Sequence, residues 1–339
     1  MKIGEINSAW ENMGNAFYAM ALKSWLSEKY PHHEVFECDE PFRPIRTSRC
    51  RRNRLQLTSI QDVDVFVCSG PILAQLLRKE HNLAAVIKDI IARDRSYALL
   101  SVSAAEMSMS EISATADFLN AYPPILFVTR DESTYLKFKQ NVTMCKNGIC
   151  TAFLVRFLEG IPEVQMDVPY FISSFYLSPE PYFKCEGSVI KDISEIRVVR
   201  RRPLMPFVKL GYSRHFECLR DDYPSVLADH RVVRIHQGFN PNCTLFNYAA
   251  PNSFVSYNPM SYLSLYKSCN FVISDRVHAC VAALSYGHPV RMMTENDRCG
   301  VFTRFNLKKD SQGIMREIDE EVFQDRVGEF SEILDSVFK

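Results

Sequence analysis

The sequence predicts an α/β protein made of two consecutive doubly wound domains. Three observations lead there. Short apolar β-type runs alternate with segments of helical period, and that alternation starts afresh after about residue 190. A chain of 339 residues is also long for a single core.

The elements follow in order. Lys2 to Ile6 reads as a strand, and Phe17 to Tyr30 as a helix with Phe17, Met20, Ala21, Trp25 and Leu26 on one face, stopped by Pro31. Glu34 to Glu37 and Val63 to Cys68 are the next strands, with helix from about Ile72. Tyr97 to Val102 and Ile125 to Val128 complete the first series. The segment from Pro169 to Pro206 is rich in proline, aromatic and basic residues, including Arg200-Arg201-Arg202, and reads as a linker or insertion. Phe207 to Leu210, Val232 to Ile235, Ser253 to Ser256, Phe271 to Ile273 and Val290 to Met293 form the second series. Glu317 to Lys339 is an amphipathic helical tail. The expected organisation is therefore residues 1–168, a connection at 169–206, a second domain at 207–316, and a helix at 317–339.

Composition narrows the function. Lys and Arg number 40 against 40 Asp and Glu, which excludes a nucleic-acid coat or a polybasic membrane tail. Anion binding then depends on where individual arginines stand. The apolar runs are strand-sized, too short to span a bilayer, and Glu5 sits where a signal peptide needs an apolar core. The 11 cysteines are an odd number, scattered and mostly in apolar segments, the pattern of reduced thiols in a cytosolic protein. Cys145 and Cys150 have no second pair at ligand spacing, so no metal is expected. His32-His33 is read as an exposed turn, and Arg49, Arg51, Arg52 and Arg54 as a solvated loop that could touch a phosphate-bearing acceptor.

Ligands of open parallel sheets bind beyond the carboxyl ends of the strands. Asn12-Met13-Gly14-Asn15 follows the first strand. Gly14 permits a tight turn and the amides near Asn15 could meet an oxyanion, although a capped helix explains the same residues. Cys68-Ser69-Gly70-Pro71 follows another strand, with small residues that allow close backbone approach. Arg130 precedes Asp131-Glu132-Ser133 at a helix start, where a cation opposes the dipole and needs an anion, either Asp131 or a ligand. His236 closes a strand as a secondary candidate.

In Ser274-Asp275-Arg276-Val277-His278, Asp275 is expected to cap a helix that ends at Gly287 and Pro289. Arg276 and His278 then occupy its positive end, unfavourable unless an anion is bound or the histidine stays neutral. A neutral imidazole beside a bound anion is a general base. Arg298 could close the same site from the next loop. No Walker loop, zinc motif, Gly-x-Ser-x-Gly elbow or dinucleotide glycine fingerprint occurs.

The stretch "CNFVISDRVHACVAALSYGHPVRMMTENDR", Cys269 to Arg298, resembles the polysaccharide pyruvyl transferase family, with its Arg-x-His-Ala, small-residue helix and Gly-x-Pro-Val. "NMGNAFYAMAL", "DVDVFVCSGPIL" and "FVTRDESTYLKF" are similar to the family's other segments, in the family's order over roughly residues 1 to 310. The family's glycine triplet is here Cys68-Ser69-Gly70-Pro71, and the region around His236 follows no alignable pattern.

The resemblance implies two Rossmann-like domains facing a cleft in the GT-B manner, with a carboxy-terminal helix crossing back. The first domain would take the acceptor and the second the donor. It implies transfer of pyruvate from phosphoenolpyruvate to two hydroxyls of a sugar or glycan, free or lipid-linked, as a cyclic ketal of the cell envelope. Arg130, Arg276 and Arg298 would hold the donor's anions, with Asn12, Gly14, Asn15, Ser69, Gly70 and His236 as further substrate contacts. His278 would be the general acid/base, with Arg276 beside it in the catalytic pair. The donor is a substrate, and neither metal nor redox cofactor is called for. The expected location is the cytoplasm, alone or at the inner face of the membrane. A nucleotide-sugar glycosyltransferase on the same fold, or a non-catalytic family member, are the rival readings.

Overall fold

The structure is a computed structural model describing residues 1–6, 12–38, 61–78, 83–176, 178, 180–199, 223–237 and 250–339. The expected strand at 207–210 and the basic runs at 49–54 and 200–202 lie outside these residues.

The first half forms a six-stranded parallel sheet: β1 (Lys2–Ile6), β2 (Glu34–Cys38), β3 (Val65–Gly70), β4 (Ser96–Val102), β5 (Leu126–Thr129) and β6 (Cys145–Asn147). Their order is β2-β1-β3-β4-β5-β6, so the winding reverses between β1 and β3. The helices are α1 (Met13–Lys29), α2 (Leu73–Leu76), α3 (Leu83–Ala92), α4 (Met109–Ala121) and α5 (Glu132–Phe138). Helix α1 begins four residues before the periodic stretch because Asn12 caps it, its side chain accepting from Gly14 N.

The second sheet corrects one sequence expectation. The segment assigned to a linker contains β7 (Tyr170–Ser174), which lies in the middle of this sheet. Short β8 (Tyr182–Lys184) and β9 (Arg197–Val199) pair with each other. Then come β10 (Val226–Leu227), β11 (His230–Ile235), β12 (Ser253–Phe254), β13 (Phe271–Ser274), β14 (Val290–Met292) and β15 (Ile314–Met315). Strands β11, β12, β13 and β14 run parallel to β7 or to its neighbours, and β10 and β15 are antiparallel edges. Here the winding reverses between β7 and β13, which carries Arg276 just past its end. Helices α6 (Pro259–Ser268) and α7 (Val277–Ser285) cover one face.

One contiguous apolar cluster joins the two sheets. It runs from Ile3, Val67 and Leu100 through α1, the 3₁₀ segment Thr151–Phe157, α6 and α7 to Ile172, Val233 and Val272. The last helix, α8 (Glu320–Phe338), buries Phe323, Val327, Phe330, Leu334 and Phe338 along one stripe. It crosses back to the first half, where Tyr30 donates to Asp335 at 2.7 Å and the His33 ring meets the Phe338 carbonyl at 2.7 Å. His33, expected in an exposed turn, is thus half-buried beneath this helix.

Candidate functional site

The amino ends of α1 and α7 meet beyond the strand ends of both sheets. Asn12 Oδ1 caps α1 and also accepts from Arg276 Nη2 at 2.8 Å. Gly14 packs against His278 so closely that a Cβ there would lie 2.9 Å from His278 Nδ1. Met13 N donates to the Gln237 carbonyl at 3.2 Å, bringing in the end of β11. Two positive helix ends and a guanidinium therefore converge on one place, an arrangement suited to an anion.

Arg276 is itself the N-cap residue of α7, with no side-chain cap bond. This corrects the expectation that Asp275 caps the helix. The buried Asp275 carboxylate instead accepts from Tyr176 N and Ser178 N at 2.8 Å each, and from Ser178 Oγ at 3.1 Å. It fastens the loop after β7, whose Tyr176 ring stacks on the Arg276 guanidinium at 4.7 Å.

His278, half-buried in the first turn of α7, places Nε2 at 3.9 Å from Cys150 Sγ and its ring edge-on to Tyr18 at 5.4 Å. Burial, then the charges of Arg130, Arg276 and Arg298, hold its pKa well below the usual histidine range. The imidazole is therefore neutral beside three cations.

Arg130 is 3% exposed, and its Nε and Nη1 have no hydrogen-bond partner among the described residues. Asp131 Oδ2 stands 3.8 Å from Nε, a long approach, while the same carboxylate accepts from Ser103 Oγ and caps α5 through Thr134 N. A buried guanidinium with unused donors is costly unless a strong acceptor arrives. Arg298 lies at the rim, held by Glu106 at 3.1 Å.

Other expected residues are placed differently. Ser69 donates to the buried Glu5 at 3.1 Å, and burial raises the Glu5 carboxyl well above its usual range. Gly70 adopts φ +82° with the Tyr18 ring resting where a side chain would project. Both shape the wall behind α1. The His236 ring turns to Ser253 Oγ at 3.3 Å, and its carbonyl accepts from Tyr262. It is the next residue, Gln237, that reaches the helix ends. Asn15 is half-buried in the first turn of α1. Among the described residues no group of three His, Cys, Asp or Glu side chains could hold a metal ion, and no helix is long and apolar enough to cross a membrane.

The family model for polysaccharide pyruvyl transferases matches residues 12–297, from the cap of α1 to the residue before Arg298. The chain belongs to the polysaccharide pyruvyl transferase family. It is thus a member of a transferase family with a polysaccharide acceptor. No curated protein sequence matches the chain.

Solved structures similar to this family member include a Listeria monocytogenes protein described as a candidate UDP-N-acetylglucosamine 2-epimerase. Its TM-score is 0.51 at 9% identity, with 99% of this chain and 87% of that chain covered. The UDP-GlcNAc 2-epimerase of Neisseria meningitidis bound to UDP-GlcNAc gives 0.49 at 12% identity, covering 98% and 94%. The fold is accordingly GT-B-like, two Rossmann-like domains with a returning carboxy-terminal helix.

Sequence reasoning missed four residues of this cluster at the helix ends: Tyr18, Cys150, Tyr176 and Gln237. Cys150 is also a buried core thiol. Nothing in its spacing marks a position 128 residues before the histidine it meets.

Proposed function

We propose that this family member is a ketal pyruvyltransferase that takes phosphoenolpyruvate as donor and a sugar or glycan diol as acceptor. The observation carrying this reading is Arg130, a buried guanidinium with unused Nε and Nη1 whose charge reaches a neutral His278. A donor with a carboxylate and a phosphate supplies the acceptors those groups lack. Arg276, between two helix ends, would hold one anion and Arg130 the other, with Arg298 at the rim.

In this reading the neutral His278 takes the proton of the first acceptor hydroxyl and passes that same proton to C3 of the donor, which makes C2 cation-like. The oxygen of that hydroxyl bonds to C2. Phosphate departs with the C2–O bond, and the second hydroxyl bonds to C2 as its proton leaves with phosphate. The products are one cyclic ketal and inorganic phosphate. The first domain would present the acceptor and the second the donor.

Thermal melting with phosphoenolpyruvate against a panel of sugar nucleotides tests the donor. At a hundredfold excess over Kd, binding stabilises by about 2.7 kcal/mol. Stabilisation by phosphoenolpyruvate is expected. Stabilisation by a sugar nucleotide alone would replace this reading with glycosyl transfer, and the absence of any shift would favour a non-catalytic member.

A further inference from the structure

Each nitrogen of the His278 imidazole has a different neighbour. Nε2 points at Cys150 Sγ, 3.9 Å away, and Cys150 is 0% exposed. Nδ1 lies over Gly14, where a Cβ would stand 2.9 Å from it. The ring as a whole is half-buried, and its Nδ1 edge faces the amino end of α1, where Asn12 Oδ1 binds the Arg276 guanidinium.

We infer that Cys150 is a positioning residue that fixes the tautomer of His278, with the proton on Nε2 directed at Sγ and Nδ1 left as the nitrogen that exchanges protons with substrate. Cys150 is itself rigidly placed. The next residue, Thr151, donates from its N to Ser101 Oγ at 3.0 Å and from its hydroxyl to the Tyr18 carbonyl at 3.0 Å. Ser101 turns toward Thr151 through a left-handed residue (φ 58°) at the irregularity of β4. Sγ is thus held from both a strand and α1.

The chemistry of sulfur fits this role. Burial raises the Cys150 thiol above its usual range, so it faces His278 as a neutral S–H and not as a thiolate. A thiol is a weak acceptor. It orients the Nε2 proton while adding little basicity, whereas a carboxylate at the same place would favour imidazolium. Among the described residues, the charged and titratable groups around the ring are Arg276 and Arg298 from the second domain, Arg130 and Cys150 from the first, and Tyr18 from α1. The three arginines oppose protonation, and the thiol does not counter them. Gly14 completes the arrangement, since a side chain there would cover Nδ1.

This inference rests on the pyruvyl-transfer reading only for what Nδ1 does, and its test needs no donor. Long-range proton–nitrogen spectra of 15N-histidine-labelled protein report which imidazole nitrogen carries the proton, with His278→Gln assigning the signal among 8 histidines. The expected result at pH 8 is Nε2 protonated and Nδ1 bare in the unsubstituted protein. Cys150→Ala should move the His278 signals toward the other tautomer. If that variant does not fold, Cys150→Ser serves instead. Its hydroxyl is the stronger acceptor, which should shift the Nε2 resonance and leave Nδ1 bare. A proton found on Nδ1 in the unsubstituted protein, or Nε2 resonances unchanged in the variant that folds, overturns the assignment. Failure of phosphoenolpyruvate to bind would remove the donor reading and leave the tautomer result standing.

Discussion

Arg276 Nη2 donates to Asn12 Oδ1 at 2.8 Å, joining side chain to side chain the cap residues of α7 and α1. The same oxygen accepts from Gly14 N at 3.2 Å, so one atom caps a helix and holds an arginine that the opposite domain contributes. The hydrogen bond ties together the two strand-end regions where each sheet reverses its winding.

Asn12 thus has two separable duties. Asn12→Ala should cost about 1 kcal/mol of stability through the lost cap. It should also weaken the donor by roughly tenfold as Arg276 loses its orientation, since a lost hydrogen bond to a charged group costs about 1.5 kcal/mol or more. Asn12→Asp keeps the cap and adds a carboxylate that competes with the donor's anion. It should melt no lower than the unsubstituted protein and yet lose the donor-induced shift. Melting curves with and without phosphoenolpyruvate separate the two effects.

Arg130 gives the opposite sign. Its guanidinium is buried and its Nε and Nη1 are without hydrogen bonds among the described residues, so folding carries a desolvation cost that the 3.8 Å approach of Asp131 offsets only in part. Arg130→Met retains the length and apolar volume of the side chain and removes the charge. The Asp131 carboxylate keeps its bonds to Ser103 and Thr134. The variant should therefore melt as high as the unsubstituted protein or higher, while the shift induced by phosphoenolpyruvate disappears. A lower melting temperature in the absence of ligand would assign Arg130 to the scaffold.

The sequence made the first sheet legible because its strands are apolar runs between clear helices, as in Tyr97 to Val102. Strand β7 was obscured by Pro169 immediately before it and by the prolines and aromatics that follow. Yet a proline just ahead of a strand removes no donor from the ladder, and Tyr170 to Ser174 is buried along its whole length. Arg276 and His278 stood out because cations at a helix start break a local rule. Gln237 and Cys150 break none. Their contribution arises from contacts across 39 and 128 residues of chain, which no local pattern encodes. His236 drew attention as a titratable residue at a strand end, but its ring is turned to β12, and its neighbour's carbonyl does the reaching.

The depressed pKa of His278 makes a stability prediction with a definite sign. An unfolded chain binds a proton at histidine near pH 6.5, whereas the folded imidazole, disfavoured by burial and by Arg130, Arg276 and Arg298, binds it only at lower pH. Between those two values the unfolded state holds more protons, so stability falls as the pH falls. The contribution is complete above about pH 6.5 and is lost progressively below it, until the folded imidazole also titrates. His278→Gln keeps a polar side chain of similar length and removes the titration. Urea unfolding at pH 7.5 and pH 5 should therefore show the variant gaining on the unsubstituted protein at the lower pH, with carboxylate effects common to both cancelling. An identical difference at the two pH values would mean that His278 titrates as it does in water. Saturating inorganic phosphate should shrink the pH effect, because an anion among the three arginines offsets the charges that oppose protonation.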